Sequence, residues 1–93
     1  MDKTKLDDIL YELDFDDIGE LKNDKYTIVL NNSDDYAYYY TLLDHNENLD
    51  LVDASSVSTE YLNVITYEGN DYKVSLNADF NNNYYNITIE DLK

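Results

Sequence analysis

Twenty-one acidic side chains face six lysines and no arginine across 93 residues, a formal net charge of −15. That balance excludes direct binding to DNA or RNA, because neutralising phosphates requires clustered Lys or Arg. The absence of cysteine excludes disulfides, thiolate zinc sites and cysteine nucleophiles, and no apolar run reaches membrane-spanning length.

High net charge favours an expanded chain when hydrophobicity is low. Here 43% of the residues are hydrophobic and eleven are tyrosine, and they fall in periodic runs. The chain is therefore expected to fold, as a single domain over residues 1–93 with one modest core. No apolar core of signal-peptide length follows Met1-Asp2-Lys3-Thr4-Lys5, so the cytoplasm is the expected compartment.

In chain order, the first element reads as an amphipathic helix. Leu6, Ile9, Leu10 and Leu13 stand at i, i+3, i+4 and i+7, one apolar stripe. Thr4 and Asp7 suggest a capping box with Asp in place of Glu. Phe15 to Gly19 is expected to end the helix, with Gly19 in a left-handed cap.

The period then changes to two. Lys25 to Leu30 places Tyr26, Ile28 and Leu30 on one side of a strand. Asp35 to Leu43 reads as a tyrosine-rich strand, with Tyr36, Tyr38, Tyr40 and Leu42 on one face and Tyr39 on the other. Leu49 to Val52 suggests a short strand. Tyr61–Tyr67 and Tyr72–Ala78 flank Glu68-Gly69-Asn70-Asp71, a hairpin signal with glycine able to take positive φ. The alternation of Tyr72, Val74, Leu76 and Ala78 extends to Phe80. After a turn at Asn81–Asn83, Tyr85, Ile87 and Ile89 alternate with Asn86, Thr88 and Glu90. The fold class is α+β: an N-terminal amphipathic helix packed on an antiparallel meander sheet of five to six short strands.

Candidate chemistry is sparse. Asp14-Phe15-Asp16-Asp17-Ile18-Gly19 begins like a calcium loop, but its fifth position is Ile18 and its twelfth is Lys25. Asp44-His45-Asn46-Glu47-Asn48 has oxygen ligands at its first, third and fifth positions, then Leu49 where glycine belongs. Neither is a calcium site. His45, the single histidine, sits in an expected turn between strands, without a nucleophile of known catalytic pattern. Neither an enzyme nor a bound cofactor is expected.

The acids form two groups. Asp7, Asp8, Glu12, Asp14, Asp16, Asp17, Glu20 and Asp24 crowd the helix and the segment after it. Asp34, Asp35, Asp44, Glu47, Asp50 and Asp53 fall at strand ends and turns. Outward carboxylates on a helix stand about 5–6 Å apart, comparable with a phosphate spacing of ~3.4 Å per strand or its double. A rigid acidic face can thus offer Lys and Arg a pattern like a nucleic-acid backbone. A solubilising surface is the plain alternative, but solubility is satisfied by a net charge of roughly 2–8. The tyrosines at 36, 38, 39 and 40 supply either core or contact surface, and basic partners meet aromatic faces favourably. The expected partner-binding residues are Asp7, Asp8, Glu12, Asp14, Asp16, Asp17, Asp34, Asp35, Tyr36, Tyr38, Tyr39 and Tyr40.

A short, cysteine-free, strongly acidic single domain with an expected tyrosine-bearing sheet resembles the phage-encoded inhibitors that mimic DNA, including many anti-CRISPR proteins. The resemblance is one of size and composition over the whole chain. It implies a basic nucleic-acid-binding partner, most directly a CRISPR effector nuclease, whose channel or PAM-reading arginines are blocked. An immunity protein that neutralises a basic nuclease toxin fits the same composition, as does an interaction domain kept soluble by its charge. The expected state is a monomer, or a weak dimer through an edge strand such as Ile87–Ile89.

Overall fold

A computed structural model describes residues 1–56 and 62–92. The elements run α1 (Lys3–Leu13), β1 (Glu20–Lys22), β2 (Lys25–Leu30), α2 (Ser33–Asp44), β3 (Asp50–Ser56), β4 (Leu62–Glu68), β5 (Tyr72–Asp79) and β6 (Tyr84–Asp91). The fold is α+β, two helices over one antiparallel sheet in the order β1-β2-β6-β5-β4-β3. Tyr61, expected to open β4, lies outside the described residues.

Helix α1 buries the expected stripe of Leu6, Ile9, Leu10 and Leu13. Its cap is Asp2 rather than Thr4: the extended Asp2 accepts the Lys5 N–H at 2.8 Å, satisfying one orphan donor of the first turn. The helix also closes earlier than Gly19. Asp14 takes the left-handed conformation at φ 62°, and the Phe15 N–H reaches back to the Leu10 carbonyl at 2.9 Å. This is a Schellman closure with Asp where glycine is usual, locked by the buried Phe15 ring.

The tyrosine-rich segment is a helix, not a strand. Asn32 caps α2 by accepting the Asp35 N–H at 2.9 Å, and Asp34 and Asp35 lie where the helix dipole favours negative charge. Tyr36, Tyr39 and Leu43 recur at i, i+3 and i+7 and turn towards the core with Leu42. His45 is the C-cap of this helix, not a turn residue between strands; its Nδ1 lies 3.0 Å from the Thr41 carbonyl oxygen.

Strands β3 to β6 form the expected meander. The β1–β2 hairpin then adds beside β6, and α2 lies in the connection that carries the chain across to β3. Strand β6 is therefore central: Ile87 is paired with Ile28 on one side and Leu76 on the other. The expected dimer edge at Ile87–Ile89 does not exist. The true edges are β1, three residues long, and β3, whose register shifts between Leu51 and Asp53. Short and bulged edges resist pairing with another chain.

One sheet face is apolar. Tyr26, Ile28 and Leu30 of β2, Tyr85, Ile87 and Ile89 of β6, Tyr72, Val74, Leu76 and Ala78 of β5, and Tyr67 of β4 are buried beneath the helices. Each Leu or Ile so buried contributes about 1.5–3 kcal/mol. Phe80, expected to continue this row, lies beyond β5 and is half exposed.

Both glycines serve packing, and neither has positive φ. The ring of Tyr72 fills the place of a Gly69 side chain. At Gly19 a Cβ would collide with the Thr27 carbonyl oxygen and stand 2.7 Å from Cζ of Tyr26. Gly19→Ala is expected to destabilise the fold by about 1–3 kcal/mol, measured as a lower midpoint in urea at unchanged slope. A neutral substitution would contradict this packing.

Candidate functional site

Asp7, Asp8, Glu12, Asp34 and Asp35 lie on the two helices and Asp14, Asp16 and Asp17 follow α1, and the structure divides these expected binding residues into those with internal partners and those without. Lys3 bridges Asp7 at 3.0 Å and Asp17 at 2.7 Å. Asp17 also accepts the Tyr26 hydroxyl at 2.7 Å, and that hydroxyl accepts the Gly19 N–H. Glu12 accepts the Tyr72 hydroxyl at 2.7 Å. Asp35 reaches the Asn31 N–H at a long 3.4 Å. Among the expected binding residues, Asp8, Asp14, Asp16 and Asp34 are exposed carboxylates without such a partner.

These internal contacts follow from tyrosine in the core. Tyr26, Tyr67, Tyr72 and Tyr85 are buried as rings, and their hydroxyls emerge at the rim to Asp17, Asp44, Glu12 and Asn83. Burial, reinforced by the neighbouring carboxylate, pushes the Tyr26 and Tyr67 hydroxyls up to about 12. Tyr72 is raised further for the same reasons. These hydroxyls stay protonated and act as donors. Part of the acidity is thus structural: it receives the hydroxyls that a tyrosine core sends outward.

The α2 tyrosines split differently. Tyr36 and Tyr39 pack partly against the core, while Tyr38 is 58% exposed and Tyr40 41%. Tyr36 sits 5.8 Å from Phe80 and 5.4 Å from Tyr85, ring centre to centre. Tyr39 meets Phe15 edge-on at 4.9 Å, which joins α2 to the loop after α1. The Tyr39 hydroxyl is pushed up first by burial, then by the charges of Asp16, Tyr38 and Asp35. Asp16 and Asp35, nineteen residues apart in sequence, therefore act on one neighbourhood.

The cations lie elsewhere or are occupied. Lys5 pairs with Asp91 and Asp71, and the Met1 amine pairs with Asp91 at 2.7 Å and Asp24 at 3.4 Å. The other three described lysines stand on the sheet face opposite the helices. One cross-strand row there reads Lys22, Lys25, Glu90, Lys73, Glu68, Asp50, and the next reads Glu20, Thr27, Thr88, Ser75, Thr66, Asp53. The first row is charge-balanced, and the second is mostly hydroxyl-bearing, with Thr66 and Ser75 in contact at 3.1 Å. These two rows set five acids against three lysines, so the sheet face is mildly acidic and the larger excess lies on the helical layer.

Among the described residues no group of three His, Asp or Glu side chains is placed to hold a metal ion, and no helix is long and apolar enough to cross a membrane. An open groove is lined by Asp8, Leu10, Tyr11, Glu12, Asp14, Phe15 and Asn48. Sequence reasoning missed Tyr11 as a contact candidate, although it is 89% exposed on α1 between these acids. Its place opposite the Leu6/Ile9/Leu10/Leu13 stripe was the available signal.

No protein-family model, curated protein or solved structure matches this chain.

The Lys3 ammonium and the Tyr26 hydroxyl hold the Asp17 carboxyl below the usual carboxylate range. A carboxylate depressed in the folded state contributes stability that is present near neutrality and lost as pH falls through its folded value. The thermal-midpoint difference between wild type and Asp17→Asn is therefore expected to be largest near pH 7 and to shrink below about pH 4. A difference independent of pH would contradict this role.

Proposed function

We propose that this protein is an inhibitor that lays its acidic helical layer into a basic nucleic-acid-binding groove and blocks nucleic-acid loading. The reading rests on one observation. Acids without internal partners, at Asp8, Asp16 and Asp34, occur on the helical layer, whereas the described lysines are either paired with carboxylates or set on the opposite sheet face. A net charge kept only for solubility has no need of such segregation. A net charge weighted towards one layer orients the molecule in the field of a cationic partner and speeds encounter.

The resemblance to DNA-mimicking anti-CRISPR proteins supplies the class of target: a CRISPR effector nuclease in the cytoplasm of the host cell. The chemistry is displacement, not reaction. Carboxylates take the phosphate positions on arginines and lysines of the groove, and the rigid helical layer fills the volume of the strand. No cofactor enters, and the protein acts as a monomer.

The test uses guide-loaded effector nucleases of several types, with target-DNA binding measured in the presence of the protein. One effector is expected to lose DNA binding. Asp8→Lys, Asp16→Lys and Asp34→Lys together should weaken that inhibition on the order of a hundredfold, at about 1 kcal/mol for each reversed pair. Glu20→Lys, Glu68→Lys and Glu90→Lys together make the same change in net charge on the sheet face and should weaken it far less. Equal loss from both triples would contradict a directed acidic layer, and undiminished DNA binding by every effector would contradict the function.

A further inference from the structure

The helix α2 is weakly seated for an element of twelve residues: only Leu43 is fully buried. Its flank towards the α1–β1 loop presents Tyr38, more than half exposed, beside Tyr39 at a ring separation of 5.2 Å. Tyr39 is in turn fixed by Phe15. The exposed ring is thus braced by a chain of edge-on aromatic contacts and loses little freedom when a partner covers it. Asp34 and Asp35 precede Tyr38 by four and three residues, spacings that put both carboxylates on the same side of the helix as the ring. Asp16 adjoins Phe15, the ring that meets Tyr39 edge-on, so the loop brings it to the same end of the aromatic pair.

We infer that Asp34, Asp35 and Asp16 around the Tyr38–Tyr39 pair form a docking site for an arginine side chain of a basic protein partner, and that this site distinguishes arginine from lysine. The inference rests on the proposed function and names the chemistry by which the acidic layer is read. Charge complementarity selects the occupant. A polyanion is repelled, and an uncharged apolar segment would strip water from carboxylates and return nothing. Lysine, a compact and strongly hydrated ammonium, gains chiefly from the carboxylates and must shed more water to meet the ring. A guanidinium is planar and less tightly hydrated, so it stacks on the Tyr38 face while its edge takes the carboxylate oxygens.

The probes are capped nonamer peptides of arginine and of lysine, titrated into the full chain at about 150 mM salt, with binding followed by NMR of the backbone amides. The arginine peptide should bind about fivefold more tightly, the scale of one exposed cation–π contact, and should shift the amides around Tyr38. Tyr38→Leu should abolish the preference, Tyr38→Phe should retain it, and both should keep the circular-dichroism spectrum of the parent. Asp8→Lys should weaken both peptides alike. Equal affinity of the wild type for the two peptides, or a preference that survives in Tyr38→Leu, overturns the site while leaving the acidic layer a cation-binding surface. If neither peptide binds even at about 20 mM salt, the proposed function falls, and this site with it.

Discussion

Like-charge repulsion is the constraint under which every other feature of this protein operates. A net charge of −15 is held within a radius of gyration of 12.6 Å. Two like charges about 10 Å apart repel by ~0.4 kcal/mol in water before salt screening, and many such pairs act together. The offset is the apolar face of the sheet, where four strands contribute alternate residues to a layer closed by Leu6, Ile9, Leu10, Leu13 and Leu43. Tyrosine in that layer adds a second effect. Its ring is buried with the core, and its hydroxyl gives Glu12, Asp17 and Asp44 a donor each, so some of the negative charge that opposes folding is also hydrogen-bonded to the core.

The same economy leaves a remainder. Lys3 and Lys5 are consumed within the rim by Asp7, Asp17, Asp71 and Asp91, and the Met1 amine by Asp24 and Asp91. Lys22, Lys25 and Lys73 balance Glu90, Glu68 and Asp50 along one row of the uncovered sheet face. Asp8, Asp16 and Asp34 receive no such compensation, and they share their layer with the exposed aromatic side of α2. The helical side is thus the more negative one, while the sheet face sets three lysines against Glu20, Asp50, Asp53, Glu68 and Glu90. Short or bulged edge strands keep the sheet from ready pairing with another chain.

Period-two runs made β2, β4, β5 and β6 legible in the sequence, because a strand covered on one face must alternate. The α1 stripe was legible for the equivalent reason. Segment 33–44 was misread because Tyr36, Tyr38, Tyr40 and Leu42 satisfy alternation while Tyr36, Tyr39 and Leu43 satisfy the helical period. Asn32 before Ser33-Asp34-Asp35 was the signal that decides between them: it is a cap with acids in the first turn. Strand β1 has no buried residue and hence no pattern to find. The central place of β6 depends on how hairpins stack, which local periodicity does not encode. At the candidate site, the number of acids was legible but their division was not. Lys3 reaches Asp17 fourteen residues away, and Tyr72 reaches Glu12 across sixty, so which carboxylates keep an outward role is a property of the tertiary fold.

The central claim is that this acidic layer occupies the place of a nucleic acid on its partner. Competition with DNA tests it most directly. The immobilised protein is used to capture a purified effector nuclease at about 100 mM salt, and the complex is challenged with a short target duplex, and separately with salt at about 500 mM. The account predicts release by both, with inhibition constants for DNA loading that rise in proportion to the duplex added. A complex that persists in saturating duplex, and whose affinity is unchanged by salt, would contradict it.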